Sequence, residues 1–459
     1  MYPRYERWRW QTFGITWLIY ASYYLTRQSF SVAKVALDSD PQVDMHREQF
    51  GLVDSAFLTT YMLGQFVFGP LGDRFGPRRI LLFGMALSIV TAAASGLATT
   101  LSVFVALAVL QGVAQSTGWS NTTKTMSSWF SLGERGRVIG WWCTHYTVGA
   151  AIALPFSGWL MEVYGHKPEM EQLAAPYTSF GMSALLAPGI ASASDPLIPF
   201  WPAAFWGPAA ALSVVLVLAW LLLRNRPEDV GLPPIEQYHG EPESLIDEEE
   251  RSRPTPEGSW KLIGEVLSTP SIWLLASAYF SIKLTRYAFI FWGPKYVAES
   301  LGSGAYQSAL TAAALPIGGL VGVIGIGYVS DTLFQARRAP ATVLSLLATA
   351  GFMLAGLTTI TNIWVMALFF FLVGVFLLGP DSMISATAAM DFGTKRGAGT
   401  ATGFVNGVGS LGGILGGYLP GVLTTGSDWS QMFHVFLLGL VVSAVLLLPL
   451  WRTKPPTTS

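Results

Sequence analysis

The sequence predicts an all-α membrane protein whose twelve transmembrane helices form two pseudo-symmetric six-helix bundles. Three observations lead there. Of 459 residues, 51% are hydrophobic and 12% charged, about half the charge fraction of ordinary soluble domains. The apolar residues gather into twelve segments close to the ~20 residues that span a hydrocarbon core. The first six segments resemble the last six at matched positions, as in carriers built from internal repeats.

Taken in order, the segments cover 11–34, 51–72, 79–99, 102–130, 138–163, 200–224, 270–297, 305–331, 340–359, 362–390, 398–422 and 430–451. Arg4, Arg7 and Arg9 precede the first, which lacks a small-residue cleavage site and reads as a retained helix rather than a signal peptide. Lys and Arg collect on the cytoplasmic side of membrane proteins. Placing the N-terminus there puts 19 of the 27 basic residues inside: Arg4, Arg7, Arg9, Arg74, Arg78, Arg79, Arg135, Arg137, Arg224, Arg226, Arg251, Arg253, Lys261, Arg337, Arg338, Lys395, Arg396, Arg452 and Lys454. Arg47 and Lys167 fall in outer loops, Lys34 and Lys295 near outer helix ends. Arg27, Lys124, Lys283 and Arg286 remain inside spans and need a reason to be there.

Residues 1–224 thus form one bundle and 270–459 the other. Between them, 225–269 is a polar linker with Pro227, Pro233, Pro234, Pro242, Pro254 and the acidic run Asp247 to Glu250. The outer loop 165–199 is long, small and apolar, with room for a short re-entrant or interfacial element. Three correspondences tie the halves together. Arg27 recurs as Arg286, Asp73 as Asp331 and Arg135 as Arg396, at offsets of 259, 258 and 261 residues. A single cysteine, Cys143, excludes an intrachain disulfide framework and a cysteine-based metal site. The net charge of -1 gives no sign of nucleic-acid binding.

The loop after the second span reads Gly69-Pro-Leu-Gly-Asp73-Arg74-Phe-Gly76-Pro-Arg78-Arg79. It resembles the GxLxDRxGxRR signature of the major facilitator superfamily. Glycines there permit a tight turn, and Asp73 is placed to accept from a helix N-terminus or an Arg of the other half, holding one access state. Arg74, Asp331 and Arg135 join it as conformational candidates. The plainer alternative is a merely charged loop.

Arg27 and Arg286 carry the functional expectation. Each lies about 16 residues into a span that starts inside, near or past the bilayer midplane at ~1.5 Å per residue. An Arg at that depth costs roughly 2.5 to 3.5 kcal/mol on insertion scales and must face a polar cavity or a counter-ion. Two at symmetry-related positions point to one shared anion, since a guanidinium fork matches phosphate oxygens. The alternative is that each pairs with a buried acid such as Asp54 or Asp381.

Tyr20, Tyr23, Tyr24 and Arg27 share one helical face, as do Tyr279, Lys283, Arg286 and Tyr287. Aromatic hydroxyls suit a polyol attached to phosphate, although tyrosine stripes also serve as packing or interface anchors. On the fifth span His145, with Trp142 at i−3 and Gly149 at i+4, presents a face toward the same cavity. Its titration near neutral pH suits phosphate protonation or proton coupling, against the commoner structural role of a lone histidine. Asp54, Asp381 and Lys124 are coupling candidates; Lys124 is equally a residue snorkelling to the interface, Asp381 a partner at a Pro380 kink.

The chain resembles the organophosphate:phosphate antiporter family over nearly its whole length. The resemblance rests on Tyr23-Tyr24-Leu25-Thr26-Arg27, Gln115-Ser-Thr-Gly-Trp119, Trp129-Phe130 with Glu134-Arg135-Gly136, the Trp142 to Gly149 stretch, and Arg226-Pro-Glu-Asp-Val-Gly-Leu-Pro-Pro234. Further on come Leu284-Thr-Arg286-Tyr287, Gly379-Pro-Asp381 and Gly397-Ala-Gly-Thr-Ala-Thr-Gly403-Phe404. It implies the major facilitator fold, exchange of an organic phosphate ester for inorganic phosphate, and phosphoryl binding by Arg27 and Arg286 with help from His145. Gln65 stands where the bacterial glycerol-phosphate and hexose-phosphate members carry a lysine, which brings the stretch Asp54 to Gly69 nearer the sugar-phosphate exchangers.

The expectation is therefore a monomeric secondary transporter in a bacterial cytoplasmic membrane, both termini cytoplasmic, with no cofactor. Its substrate-binding residues would be Arg27, Arg286, His145, Tyr24, Lys283, Tyr287 and Trp142. Two rivals stay open: a transporter-like sensor of sugar phosphate, and a proton-coupled carrier of another organic anion. No nucleophile with base, metal cluster or phosphate-cradling loop points to an enzyme.

Overall fold

Proline and glycine mark where helices start and stop. Gly76, at φ +88°, ends the second helix in a conformation closed to most side chains, and Pro77 opens the third with its ring pre-set for a helix. Pro270 starts the seventh helix and Gly302, at φ +61°, stops it. In the computed structural model, the described residues are 3–38, 40–131, 138–139, 141–165, 199–239, 264, 267–335, 337–357, 360–388, 398–424 and 428–452, without the side chains of 73, 236, 239, 331, 355, 386–388, 398–400 and 402.

Twelve helical spans make up the described fold, joined by turns and without a strand among those residues. The first half holds α1 (Pro3–Leu37), α2 (Arg47–Phe75), α3 (Pro77–Ser95), α4 (Leu101–Ser116 and, past Thr117, Gly118–Trp129), α5 (Thr144–Val163) and α6 (Ala203–Leu222). The second holds α7 (Pro270–Leu301), α8 (Ala305–Ala312 and, past Ala313, Ala314–Thr332), α9 (Arg338–Gly356), α10 (Ile363–Ser382), α11 (Ala398–Leu423) and α12 (Ser430–Leu447).

The spans agree with the apolar segments except in detail. α4 and α8 are each interrupted at one residue, α1 begins at Pro3 rather than 11, and in the fifth segment residues 138, 139, 141 and 142 are helical before a turn at Cys143, past which α5 runs. The tenth segment ends in a π-helical turn, Met383–Ala388, directly after Asp381 and Ser382. Apolar content alone shows none of these features, because each is a change in backbone hydrogen bonding. Six helices, α3, α4, α6, α8, α10 and α12, hold long apolar stretches sufficient to cross a membrane. Four of the others, α1, α2, α5 and α7, carry the ionisable residues that a bundle turns inward, away from lipid.

Small residues bring α7 and α11 together. A methyl at Gly412 would stand 2.0 Å from the Phe280 carbonyl oxygen, and one at Gly416 2.2 Å from that of Leu284. Backbones this close need glycine, as in small-xxx-small membrane interfaces. Gly412→Val is expected to remove the folded, monodisperse peak in size-exclusion chromatography. Gly325→Ala, at a position with no atom within 4 Å of the added carbon, should leave that peak unchanged.

The halves are sealed against each other at one end. Ser31 donates to the Ile290 and Phe291 carbonyls at 3.0 and 2.9 Å, Arg47 reaches both oxygens of Glu299 at 3.0 and 2.8 Å, and Lys295 donates to Asp38 at 2.8 Å. Tyr306 N–H donates to Glu162 at 2.9 Å, and Ser55 to the Ile414 carbonyl at 3.0 Å. Each of these contacts lies toward the end away from the start of α1. Near that start, the first part of the linker docks on the first half, with Tyr238 stacked on Tyr5 at 4.0 Å and Tyr5 donating to the Pro233 carbonyl at 2.9 Å. Most of the expected outer loop, 166–198, and the acidic part of the linker, 240–263, lie outside the described residues.

Candidate functional site

Arg27 sits in the second half of α1, where Gln115 of α4 holds it. Gln115 donates to the Tyr23 carbonyl at 3.1 Å and to Thr26 at 3.0 Å, which aims its own carbonyl oxygen at the Arg27 Nε, 2.7 Å away. The guanidinium lies between two phenol rings, 4.7 Å from the centroid of Tyr24 and 4.8 Å from that of Tyr61. These are cation–π distances. Its Nη2 is buried and donates to nothing, and no carboxylate among the described residues pairs with it. A cation held in place, with one buried nitrogen unused and no carboxylate partner among the described residues, is prepared for an anion from outside.

Arg286 on α7 differs. Its Nη1 donates to Asp381 Oδ2 of α10 at 2.6 Å, and its Cζ lies 5.7 Å from the ring centroid of Tyr287. The acid pairing weighed for both arginines thus holds for Arg286 and Asp381, while Asp54 pairs with neither. Instead Asp54 accepts from Lys34, one of two buried partners that also lie at the sealed end, and Lys34 Nζ donates onward to the Phe291 carbonyl at 3.1 Å. Each arginine thus has a tyrosine of its own helix beside it, Tyr24 for Arg27 and Tyr287 for Arg286. Tyr24 and Arg286 also line a void between the halves with Tyr146, Phe289 and Pro316.

The tyrosine stripe of α1 divides by function. Tyr24 faces Arg27, whereas Tyr23 is fully buried and spends its hydroxyl on Thr117 at 3.1 Å, a packing role. Tyr20 turns to His145, with ring centroids 4.3 Å apart, and its hydroxyl is 3.5 Å from that of Tyr61. His145 has no exposed surface and lies in an aromatic cage, 4.2 Å from Trp142 and 6.2 Å from Trp119, with neither ring nitrogen hydrogen-bonded. Trp142 is equally buried and donates to Thr16 at 3.0 Å. Both therefore stand behind Tyr20 rather than on the cavity wall.

Lys283, one turn before Arg286, has only neutral oxygens within reach. Its Nζ lies 3.4 Å from the Asn406 carbonyl, 3.4 Å from Asn406 Oδ1 and 3.3 Å from Ser410 Oγ, over the Tyr279 ring at 4.9 Å. Lys124 is remote from this group, with Nζ 3.4 Å from the Gly72 carbonyl beside the signature loop. Arg74 lies on the exposed surface, its Cζ 5.3 Å from the Phe75 ring centroid. The side chains of Asp73 and Asp331, and all of Arg135, lie outside the described residues.

Tyr61, Gln115, Asn406 and Ser410 escaped the sequence reading. Gln115 sat inside a quoted motif without a role, and helical periodicity within α1 or α7 says nothing about which residue of α2, α4 or α11 faces it. Polar residues amid apolar helices were the available signal, and too many share it.

The whole arrangement is that of a carrier. The family description Major Facilitator Superfamily matches residues 16–417. The membrane sensor protein UhpC of Escherichia coli strain K12 is 30% identical over 99% of this chain and 94% of its own. The glycerol-3-phosphate transporter of Bacillus subtilis strain 168 is 28% identical over 98% of this chain and 94% of its own. Among solved structures, a bacterial homologue of the human lysosomal transporter Spinster, inward-facing and unoccupied, superposes with a TM-score of 0.69 at 17% identity, covering 98% of this chain and 96% of that one. With twelve helices in the matching fold and relatives along its full length, the chain belongs to the Major Facilitator Superfamily, in its organophosphate:phosphate antiporter family.

Proposed function

We propose that this protein exchanges an organic phosphate ester, a sugar phosphate or glycerol phosphate, for inorganic phosphate by alternating access. The observation that carries the reading is Arg27: clamped by Gln115, walled by two tyrosines and lacking a carboxylate among the described residues. A phosphoryl group supplies the missing charge and accepts from the guanidinium fork. Arg286, from the other half, takes the remaining oxygens, so that the bound anion draws the halves together. Tyr24 and Tyr287 line the group between them, Lys283 stands one turn behind Arg286, and His145 with Trp142 backs the site through Tyr20. A relative named for glycerol-3-phosphate transport supports the substrate class.

On this reading the membrane is the bacterial cytoplasmic one, with both termini inside, and the sealed end faces outward. The signature loop with Asp73 and Arg74, its counterpart Asp331, and Arg135 would then form the gate at the open, cytoplasmic end. The empty carrier resists turning over because Arg27 would cross the closed state without a counter-ion, which favours exchange over net flux.

Counterflow in phosphate-loaded proteoliposomes tests this. Uptake of labelled phosphate is expected, inhibited competitively by glycerol-3-phosphate or hexose phosphates. Saturable binding with negligible flux would instead support a sensor, as the UhpC relative is named. Flux that follows a proton gradient and ignores phosphate would replace the reading with a proton-coupled carrier.

A further inference from the structure

The ion pair between Arg286 and Asp381 is built differently from the one that seals the halves. Arg47 and Glu299 meet through two parallel bonds. Arg286 and Asp381 share a single bond, and around it Arg286 Nε and Asp381 Oδ1 are both buried without a partner. Two-point contacts are the strong form of this interaction, so the site pair is the weaker one. Its unused atoms mark a contact that is only half made.

A second cation waits one helical turn away. Lys283 is 8% exposed and touches only carbonyl, amide and hydroxyl oxygens at 3.3–3.4 Å. The backbone that carries Asp381 has slack: Pro380 precedes it inside the helix, and the π-helical turn Met383–Ala388 follows. Such turns interrupt the regular ladder and recur at functional sites. Asn406 joins the parts, donating to the Ser385 carbonyl in that turn at 3.3 Å while its oxygens face Lys283.

We infer that Asp381 is a transferable internal counter-ion: it occupies Arg286 in the empty carrier and passes to Lys283 when a phosphoryl group takes its place. This rests on the phosphate-exchange reading and specifies the charge of the ligand. Arg27, Arg286 and Lys283 against Asp381 leave an excess of two positive charges before and after the transfer. A dianionic phosphomonoester with an uncharged organic part, or phosphate dianion, balances it. The carboxylate also acts as a resident competitor, so the apparent affinity for phosphate is lowered by the fraction of carriers in which Arg286 is taken.

Phosphate-dependent thermal stabilisation of the full-length protein in detergent, with phosphate exchange in proteoliposomes beside it, provides the test. Asp381→Asn and Asp381→Ser, made in parallel so that one folding failure leaves the other, are expected to bind phosphate about tenfold more tightly, as removal of a ~90% populated competitor requires. Lys283→Gln should weaken phosphate binding in the wild-type background and change it less than about twofold in the Asp381 variants, because Lys283 acts through Asp381. Unchanged or weaker binding in both Asp381 variants overturns the transfer, as does an equal effect of Lys283→Gln in both backgrounds, which would place Lys283 on the ligand itself. A wild-type protein that neither binds nor exchanges phosphate overturns the function on which the inference rests, a result distinct from either.

Discussion

Arg27→Ala should lower phosphate exchange in proteoliposomes by about 100-fold or more, since truncating one partner of a buried charged hydrogen bond costs roughly 2–5 kcal/mol. The protein should remain folded. Gln115 keeps its bonds to Tyr23 and Thr26 and loses only the one to Arg27, a cost of about 1–3 kcal/mol. Arg27→Lys should restore only part of the rate, because an ammonium offers a point charge where the fork gives two aligned donors. Arg286→Ala should be as damaging for a further reason: it leaves the Asp381 carboxylate, now without its arginine, in a site meant for an anion. Removing that charge as well, in Arg286→Ala with Asp381→Asn, should recover binding relative to the single variant. Near-normal exchange by Arg27→Ala in a well-folded sample would sink the anion clamp.

Asp54→Ala is expected to destabilise the protein by about 3–5 kcal/mol, the usual cost of stranding one member of a buried ion pair. Lys34 has no exposed surface, and Asp54 is its one carboxylate among the described residues. Because Lys34 also donates to Phe291 across the halves, the loss should loosen the sealed end, seen as faster labelling of a cysteine placed at Ser31. Lys34→Met in the same background removes the stranded charge and should return most of the stability, since an apolar pair of similar volume is often neutral. Equal melting temperatures for wild type and Asp54→Ala would show that the pair does not hold the outer contact.

The division of evidence follows from range. Apolar runs, basic loops and the 258–261 residue repeat are properties of short windows or of simple offsets, and they carried the helix count, the two halves and the interest in Arg27 and Arg286. Periodicity also placed Tyr24 beside Arg27 and Tyr287 beside Arg286, because neighbours on one helix are set by 3.6-residue geometry. It could not separate Tyr23, a packing residue, from Tyr24, since both lie on the same broad face.

Which acid meets which base was beyond reach of any window. Asp54 and Asp381 were equivalent candidates along the chain, yet α2 delivers Asp54 to Lys34 at the sealed end and α10 delivers Asp381 to Arg286. The choice depends on helix rotation and depth, which are set by contacts such as Gly412 against Phe280 and Gly417 against Asp54. Composition and spacing by themselves determined that this chain crosses a membrane twelve times and carries arginines within its spans. Only packing between helices distant in sequence decided that, among the described residues, Arg27 is without a carboxylate and Arg286 is not, because side-chain electrostatics act over a few ångströms of space and have no regard for distance along the chain.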